Sequence, residues 1–286
     1  MENVAVIGVG LLGAGFAEHL LDRGARVQVW NRTASKLAPL AERGAVVADT
    51  PADAIRGVDR VHIVLSEDDA VDAVIAAMGP ALAPGVPVVD HSTNEPAKVA
   101  ARFQRLRAAG IRYIPAPVFM APANSRAGTG LMLLAGPAAD AEALTATLLT
   151  MTGRVWYCGE RPELAAVYKL MGNSLIIGMS GVLGDALQIG GSAGFGPAEM
   201  LTLLENFNPG GMLPAFVQRM ERSPRGDASF TLEMARKDVR LMIETAAGPT
   251  GASDLHVLPG IAAGMDAAIA RGHAKRDYPI FARRGR

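Results

Sequence analysis

The chain of 286 residues contains a single cysteine, Cys158. That excludes an intramolecular disulfide framework and any metal site built from several thiolates. Its five histidines, His19, His62, His91, His256 and His273, show no H-x-x-x-H spacing and no cysteine partner, so no metal site is expected. Neither sign of charge is in excess: 28 Lys+Arg stand against 28 Asp+Glu. No basic field is therefore available to hold nucleic acid or an anionic membrane. The start, Met1-Glu2-Asn3, lacks the basic flank of a signal peptide. The longest apolar stretch, Leu170 to Gly184, is short for a membrane span and is interrupted by Asn173, Ser174 and glycines. What is present is half apolar and 20% charged, with a mean hydropathy of +0.21. That balance describes a folded globular chain of about one to two domains, expected to be soluble and cytoplasmic.

The first half alternates short β-branched runs with helical stretches. Strands are expected at Val4–Gly8, Arg26–Trp30, Val61–Leu65, Val86–Asp90, Ile111–Ile114, Leu131–Leu134 and Val155–Cys158. The strongest are unbroken apolar runs, as parallel strands covered on both faces require. Helices are expected over Leu11–Arg23, Ala70–Ala77 and Pro96–Ala109, with Gly24, Gly44 and Gly110 where helices should stop. This alternation reads as an α/β doubly wound sheet, a Rossmann fold. After Cys158 the strand signals vanish. Pro162 can open a helix that Gly190-Gly191 closes, a span of ~40 Å at the helical rise. Gly172, Gly178, Gly181 and Gly184 weaken that helix by about 1 kcal/mol each, so close helix–helix packing, within the chain or in a dimer, must compensate. Further helices are expected at Pro197–Asn206, Leu232–Ala247 and Leu255–Arg271, and Ala282–Arg286 reads as a loose tail. The expected organisation is residues 1–160 as a dinucleotide-binding domain, 161–190 as an interdomain helix and 191–286 as an all-α domain for substrate binding and dimerisation.

Gly8-Val9-Gly10-Leu11-Leu12-Gly13 fits G-x-G-x-x-G, directly after an apolar strand and at the opening of a helix. In that context Gly8 permits the tight turn, Gly10 lets the backbone approach a pyrophosphate, and Gly13 lets helix and strand pack closely. The second strand ends in Asn31-Arg32-Thr33, where an NAD site would place an acid to accept from the ribose 2′-hydroxyl. Arg32 cannot accept. Its planar fork of donors suits a phosphate, and Thr33, Ser35 and Lys36 add hydroxyls and a second cation, so the cofactor expected is NADP(H).

Lys169 is flanked by apolar residues on the long helix, and Asn173 leaves the same face one turn later. Two readings stand on helix chemistry alone. A lysine desolvated in a cleft has a lowered pKa and can act as a general acid, oriented by the carboxamide. Alternatively, Lys169 reaches to water from an interface helix and Asn173 is exposed.

The order Gly8–Gly13, Asn31-Arg32-Thr33, Asp90-His91-Ser92-Thr93-Asn94-Glu95-Pro96, Lys169 with Asn173, and Lys237-Asp238 resembles the β-hydroxyacid dehydrogenase superfamily. The likeness is to 3-hydroxyisobutyrate dehydrogenases and glyoxylate/succinic semialdehyde reductases, and it covers nearly the whole chain. It implies an NADP-dependent dehydrogenase or reductase with its cleft between two domains. Lys169 then matches the catalytic proton donor, and Asn173 the asparagine that supports it. Thr93 and Lys237 match cofactor contacts, and Leu65-Ser66 matches a loop on the nicotinamide side. Asp238 and Phe230 match the acid and aromatic that close the active site, and Ser92 a hydroxyl on the substrate or nicotinamide side.

One stretch departs from the family. Its substrate loop commonly reads D-A-P-V-S-G-G, whose hydroxyl and glycine amides hold a carboxylate. Here the loop is Pro115-Ala116-Pro117-Val118-Phe119-Met120-Ala121-Pro122. Phe119, Met120 and Ala121 thus form an apolar substrate-side loop that, with N-R-T, is similar to the imine reductases, whereas those enzymes typically carry Asp or Tyr at the Lys169 position. An imine reductase or reductive aminase is therefore the alternative activity, and a non-catalytic nucleotide-binding reader the second alternative. The partners expected are a small carbonyl or imine substrate and a second copy of the chain, with no nucleic acid, membrane or metal.

Overall fold

A computed structural model of the chain describes residues 2–248 and 251–283. Two compact units appear, Met1–Asn173 and Ser174–Arg286. In the first, β1 (Asn3–Ile7), α1 (Leu11–Asp22), β2 (Arg26–Trp30), α2 (Ala38–Glu42), β3 (Val46–Val47), α3 (Pro51–Ala54) and β4 (Arg60–Ile63) are followed by α4 (Asp68–Met78), β5 (Pro87–Asp90), α5 (Pro96–Ala108) and β6 (Arg112–Pro115). Next come β7 (Val118–Phe119), α6 (Pro122–Ala127), β8 (Leu131–Ala135), α7 (Ala138–Leu148) and β9 (Arg154–Gly159). The helix α8 (Leu164–Gly191) leads to α9 (Pro197–Asn206), α10 (Leu213–Arg222), α11 (Leu232–Ala247) and α12 (Leu258–Ala268).

Six strands form a parallel sheet in the order β3-β2-β1-β4-β5-β6. Alternate side chains feed two cores: Val4 and Val6 pack on one face with Phe16, Leu20 and Leu148, while Ala5 and Ile7 pack on the other with Val71 and Ile75. That two-sided burial is why the strands read as unbroken apolar runs. The register aligns Ile7 with Trp30 and Ile63, Ile63 with Asp90, and Asp90 with Pro115. Every loop that leaves these strands therefore emerges at one edge, where the order reverses around β1 and β4 and open α/β sheets bind ligands.

Two of the expected strands do not join this sheet. Leu131–Ala135 and Arg154–Gly159 pair in parallel with each other, and Val118–Phe119 adds antiparallel to β8, giving a separate three-stranded sheet. An apolar run signals a strand but not its partner. The two-residue β7 that pairs with β8 is too short to show in the pattern. α6 lies against α1 so closely that a Cβ on Gly15 would meet Ser125 Oγ at 2.0 Å.

Among the described residues the second unit contains helices and one isolated bridge, Thr231 to Asp277. α10 is a helix that the sequence pattern does not reveal, and the tail Arg284–Arg286 lies outside the described residues. α8 runs for 28 residues and by length and composition alone is long and apolar enough to cross a membrane, which corrects the expectation from the shorter apolar stretch. Its last turns are nevertheless tied to protein. Asp185, 1% exposed, accepts from the backbone N–H groups of His256, Val257 and Leu258 and so caps α12. The core of this unit is Leu232, Ala235 and Val239 of α11 against Ala262, Met265 and Ala268 of α12.

Candidate active site

The turn after β1 is shaped by what its glycines must avoid. Gly8 has φ +96°, and a Cβ there would fall 2.2 Å from the Val64 carbonyl oxygen. A Cβ on Gly13 would fall 2.0 Å from the Gly8 carbonyl oxygen. Both positions are dictated by the packing of the protein itself. Gly10 differs: a Cβ there would meet no atom within 4 Å. Gly10 also stands at the N-cap of α1 without a side-chain hydrogen bond to the first-turn amides. The helix start is thus open, with N–H groups available to an anion. Val9 is buried and Leu12 packs on the core, so these two shape the turn from inside, whereas Leu11 is exposed. Asn31 Oδ1 accepts from Val9 N–H at 3.0 Å and Asn31 Nδ2 donates to the Thr33 carbonyl at 2.9 Å, which locks the turn after β1 to the turn after β2.

A cleft of about 400 Å³ lies beside this turn, lined by the expected Gly8, Gly10, Asn31, Arg32, Thr33, Lys36, Leu65 and Ser66. Sequence reasoning missed its opposite wall: Pro51, and Ala70, Ala73, Val74 and Ala77 of α4. The signal was present as small residues at i, i+3, i+4 and i+7, one helix face. Such a face leaves room for a flat ring. Arg32, Thr33 and Lys36 are exposed at the cleft, and among the described residues no carboxylate pairs with Arg32 or Lys36.

The next loops hang from one buried carboxyl. Asp90, 1% exposed, accepts from Ser92 N–H at 2.9 Å, Asn94 Nδ2 at 2.8 Å and the Tyr113 hydroxyl at 2.6 Å. Burial raises its pKa against those hydrogen bonds, which favour the charged form. Ser92 is 4% exposed, and its hydroxyl accepts from Leu65 N–H at 2.9 Å. Of the two sides the resemblance allows for the Ser92 hydroxyl, substrate or nicotinamide, it meets the Leu65-Ser66 loop matched to the nicotinamide side and holds that loop from behind. Thr93, by contrast, is exposed between two buried neighbours.

Lys169 projects from the first turns of α8 onto the 115–122 loop. Its Nζ donates to the Val118 carbonyl at 2.6 Å and lies 4.4 Å from the centre of the Phe119 ring. Burial alone drives its pKa down from the ordinary lysine value. The lysine thus does not simply extend into water. Asn173 is half-buried one turn further along. Met120 is half-buried against the sheet core and Ala121 is exposed.

Residues 3–159 match the family described as the NAD binding domain of 6-phosphogluconate dehydrogenase. The chain belongs to this family. It is a chain of the β-hydroxyacid dehydrogenase superfamily with imine-reductase-like features. It is 25% identical to 3-sulfolactaldehyde reductase of Escherichia coli K12 over 287 residues, 97% of this chain and 94% of that one. It is 28% identical over 248 residues to the cytokine-like nuclear factor N-PAC of Xenopus tropicalis, 85% of this chain but 46% of that protein, so it spans about half of that relative. Among solved structures it is similar to an imine reductase of Streptomyces aurantiacus, with a TM-score of 0.87, 25% identity and 98% of each chain covered.

The residues of this chain fit a nicotinamide dinucleotide. Gly10 leaves the open amides of α1 for a pyrophosphate, α4 supplies the flat apolar wall, and Arg32, Thr33 and Lys36 supply donors suited to the extra phosphate of NADP(H). Three of the expected site residues belong to the second unit. Lys237 and Asp238 of α11 form an ion pair with each other at 2.7 Å. Phe230, just before α11, is partly exposed and packs edge-on against Tyr278 at 5.6 Å.

Proposed function

We propose that this chain is an NADPH-dependent reductase of a carbonyl compound in which Lys169 is the proton donor. The observation that carries the reading is Lys169 itself: a half-buried ammonium against the apolar 115–122 loop, facing a carbonyl and an aromatic ring and, among the described residues, paired with no carboxylate. Bound nicotinamide supplies the hydride that the carbonyl carbon receives. Lys169 gives one proton to the developing alkoxide, becomes a neutral amine and is reprotonated from solvent. Asn173, one turn away on the same helix face, supports the lysine's orientation. The helix-start amides around Gly10 take the pyrophosphate, and Arg32 with Lys36 takes the 2′-phosphate. Thr93 and Ser66 lie on loops leaving the same sheet edge and suit the nicotinamide end. The parts assigned to Lys237, Asp238 and Phe230 rest on the family resemblance.

Reduction of an imine is the second reading, favoured by the likeness to the Streptomyces aurantiacus imine reductase over nearly the whole chain. A protonated imine already carries its proton and gains less from a second cation, so Lys169 favours the carbonyl. A homodimer belongs to the same proposal, because α8 exposes Leu175 and Ile177, α9 exposes Leu201 and the residue after it is the exposed Phe207, apolar side chains that a second copy would cover. Following NADPH oxidation over small aldehydo-acids, apolar ketones and cyclic imines tests the reading. Turnover of imines alone would replace it with the second, and tight NADPH binding without any turnover would leave a nucleotide-binding protein.

A further inference from the structure

The Phe119 ring is held from two sides. Its face lies 4.4 Å from Lys169 Nζ, and its far edge rests on Gly172, where a Cβ would come within 2.3 Å of Phe119 Cζ. The ring therefore occupies the space that a side chain at position 172 would fill. The ammonium sits between this ring and the Val118 carbonyl oxygen. An aromatic face stabilises a cation without neutralising it and without taking its protons. A carboxylate would do the opposite, engaging the same N–H groups that must deliver the proton.

Several of the loop's donors are already engaged within the protein. Ala121 N–H donates to Asn124 Oδ1 at 2.9 Å, Asn124 Nδ2 to Thr129 Oγ1 at 3.1 Å, and Ser125 Oγ to the Pro122 carbonyl at 2.9 Å. Pro117 and Pro122 have no N–H to give. An anionic substrate at this loop would pair with the Lys169 ammonium, and binding there occupies the proton donor.

We propose that Phe119, seated on Gly172, is the specificity-determining residue of this site: it directs Lys169 to uncharged carbonyl compounds with apolar substituents, while small carboxylates bind Lys169 as dead-end inhibitors. The proposal rests on the reading of Lys169 as proton donor. Phe119 acts through the lysine as well as by shape, so its removal changes the pH at which the lysine loses its proton.

The test uses the intact protein with NADPH and a matched pair of substrates, an oxo acid and its methyl ester. Wild type is expected to favour the ester in kcat/KM by about tenfold or more, with acetate inhibiting competitively against the ester. Phe119→Leu, which keeps apolar volume and loses the ring face, should move the alkaline limb of the pH–rate profile down by about half to one pH unit. Gly172→Ala should displace the ring and move the limb the same way, adding nothing in the Phe119→Leu background. A merely structural role would lower the rate and leave the limb in place. NADPH titration verifies that each variant is folded. Equal or better use of the free acid by wild type, or an unmoved limb in both variants, overturns this proposal and leaves the reductase reading intact. Failure to reduce either compound despite NADPH binding overturns both.

Discussion

Nδ1 of His62 and Nε2 of His91 lie 2.8 Å apart in the middle of the first unit, both rings fully buried and nearly parallel. Their protons are fixed by what stands at either end. Arg60 Nε, which can only donate, lies 2.8 Å from His62 Nε2, and the Ala116 carbonyl, which can only accept, lies 2.8 Å from His91 Nδ1. The relay therefore runs one way, from Arg60 through His62 and His91 to Ala116, with each imidazole neutral and carrying its hydrogen on Nδ1. It ends on the loop that carries Phe119. Burial holds the His91 pKa down to about 4 and that of His62 well below its ordinary value.

The sign of the resulting pH dependence follows. The unfolded chain takes up these protons near pH 6.5, while the folded protein takes up that of His91 only near pH 4 and holds His62 neutral well below its ordinary value. Between those values the unfolded state binds more protons, so stability is full above about pH 6.5 and falls as the pH drops toward 4. Each histidine contributes at most about 1.4 kcal/mol per pH unit in that window. Urea unfolding of wild type and His91→Gln at pH 7 and pH 5 should show a smaller loss in the variant. Equal losses would remove the relay from the acid response.

Cofactor choice should depend on Arg32, exposed at the cleft. A charge-assisted phosphate contact is worth about 1.5–3 kcal/mol. Arg32→Ala should weaken NADPH binding by about 10- to 150-fold and NADH binding far less. A titration in which both cofactors lose equally would count against the 2′-phosphate assignment.

The glycine turn separates fold from binding. Gly10→Ala meets no protein atom within 4 Å and should leave the thermal midpoint nearly unchanged while NADPH affinity falls by about tenfold or more. Gly13→Ala drives a Cβ into the Gly8 carbonyl and should cost about 1–3 kcal/mol of stability. Calorimetry with and without NADPH distinguishes the two, and a Gly10→Ala variant with intact affinity would contradict the open helix start.

Lys169→Ala should leave NADPH affinity nearly intact and lower ketone reduction by about two to four orders of magnitude. Imine reduction should suffer less, because the substrate arrives partly protonated. Unchanged ketone turnover in the variant would end the lysine's assignment as proton donor.

Light scattering at micromolar concentration should give twice the chain mass. Ile177, 70% exposed on α8, lies in the surface assigned to the second copy. Ile177→Asp should shift the mass toward the monomer, and a monomeric wild type would contradict the dimer.

The sequence alone determined the parts whose causes are local. Apolar runs of the right length and the glycines after them locate β1, β2 and α1, since strand burial and helix termination leave their marks within a few residues. Gly8, Gly10 and Gly13 were legible for the same reason, as was the span of α8 between Pro162 and Gly191. Arg32 declared its chemistry by standing where an acceptor belongs. What the tertiary structure decided were matters of partnership. It moved β8 and β9 into a second sheet, because strand pairing is a contact between distant segments. It turned Ser92 inward to hold Leu65, and it set four small residues of α4 opposite Arg32. It also placed Phe119 between Lys169 and Gly172, which are 50 and 53 positions further along the chain. No pattern in either segment announces that meeting; the register of β7 on β8 and the docking of α8 produce it.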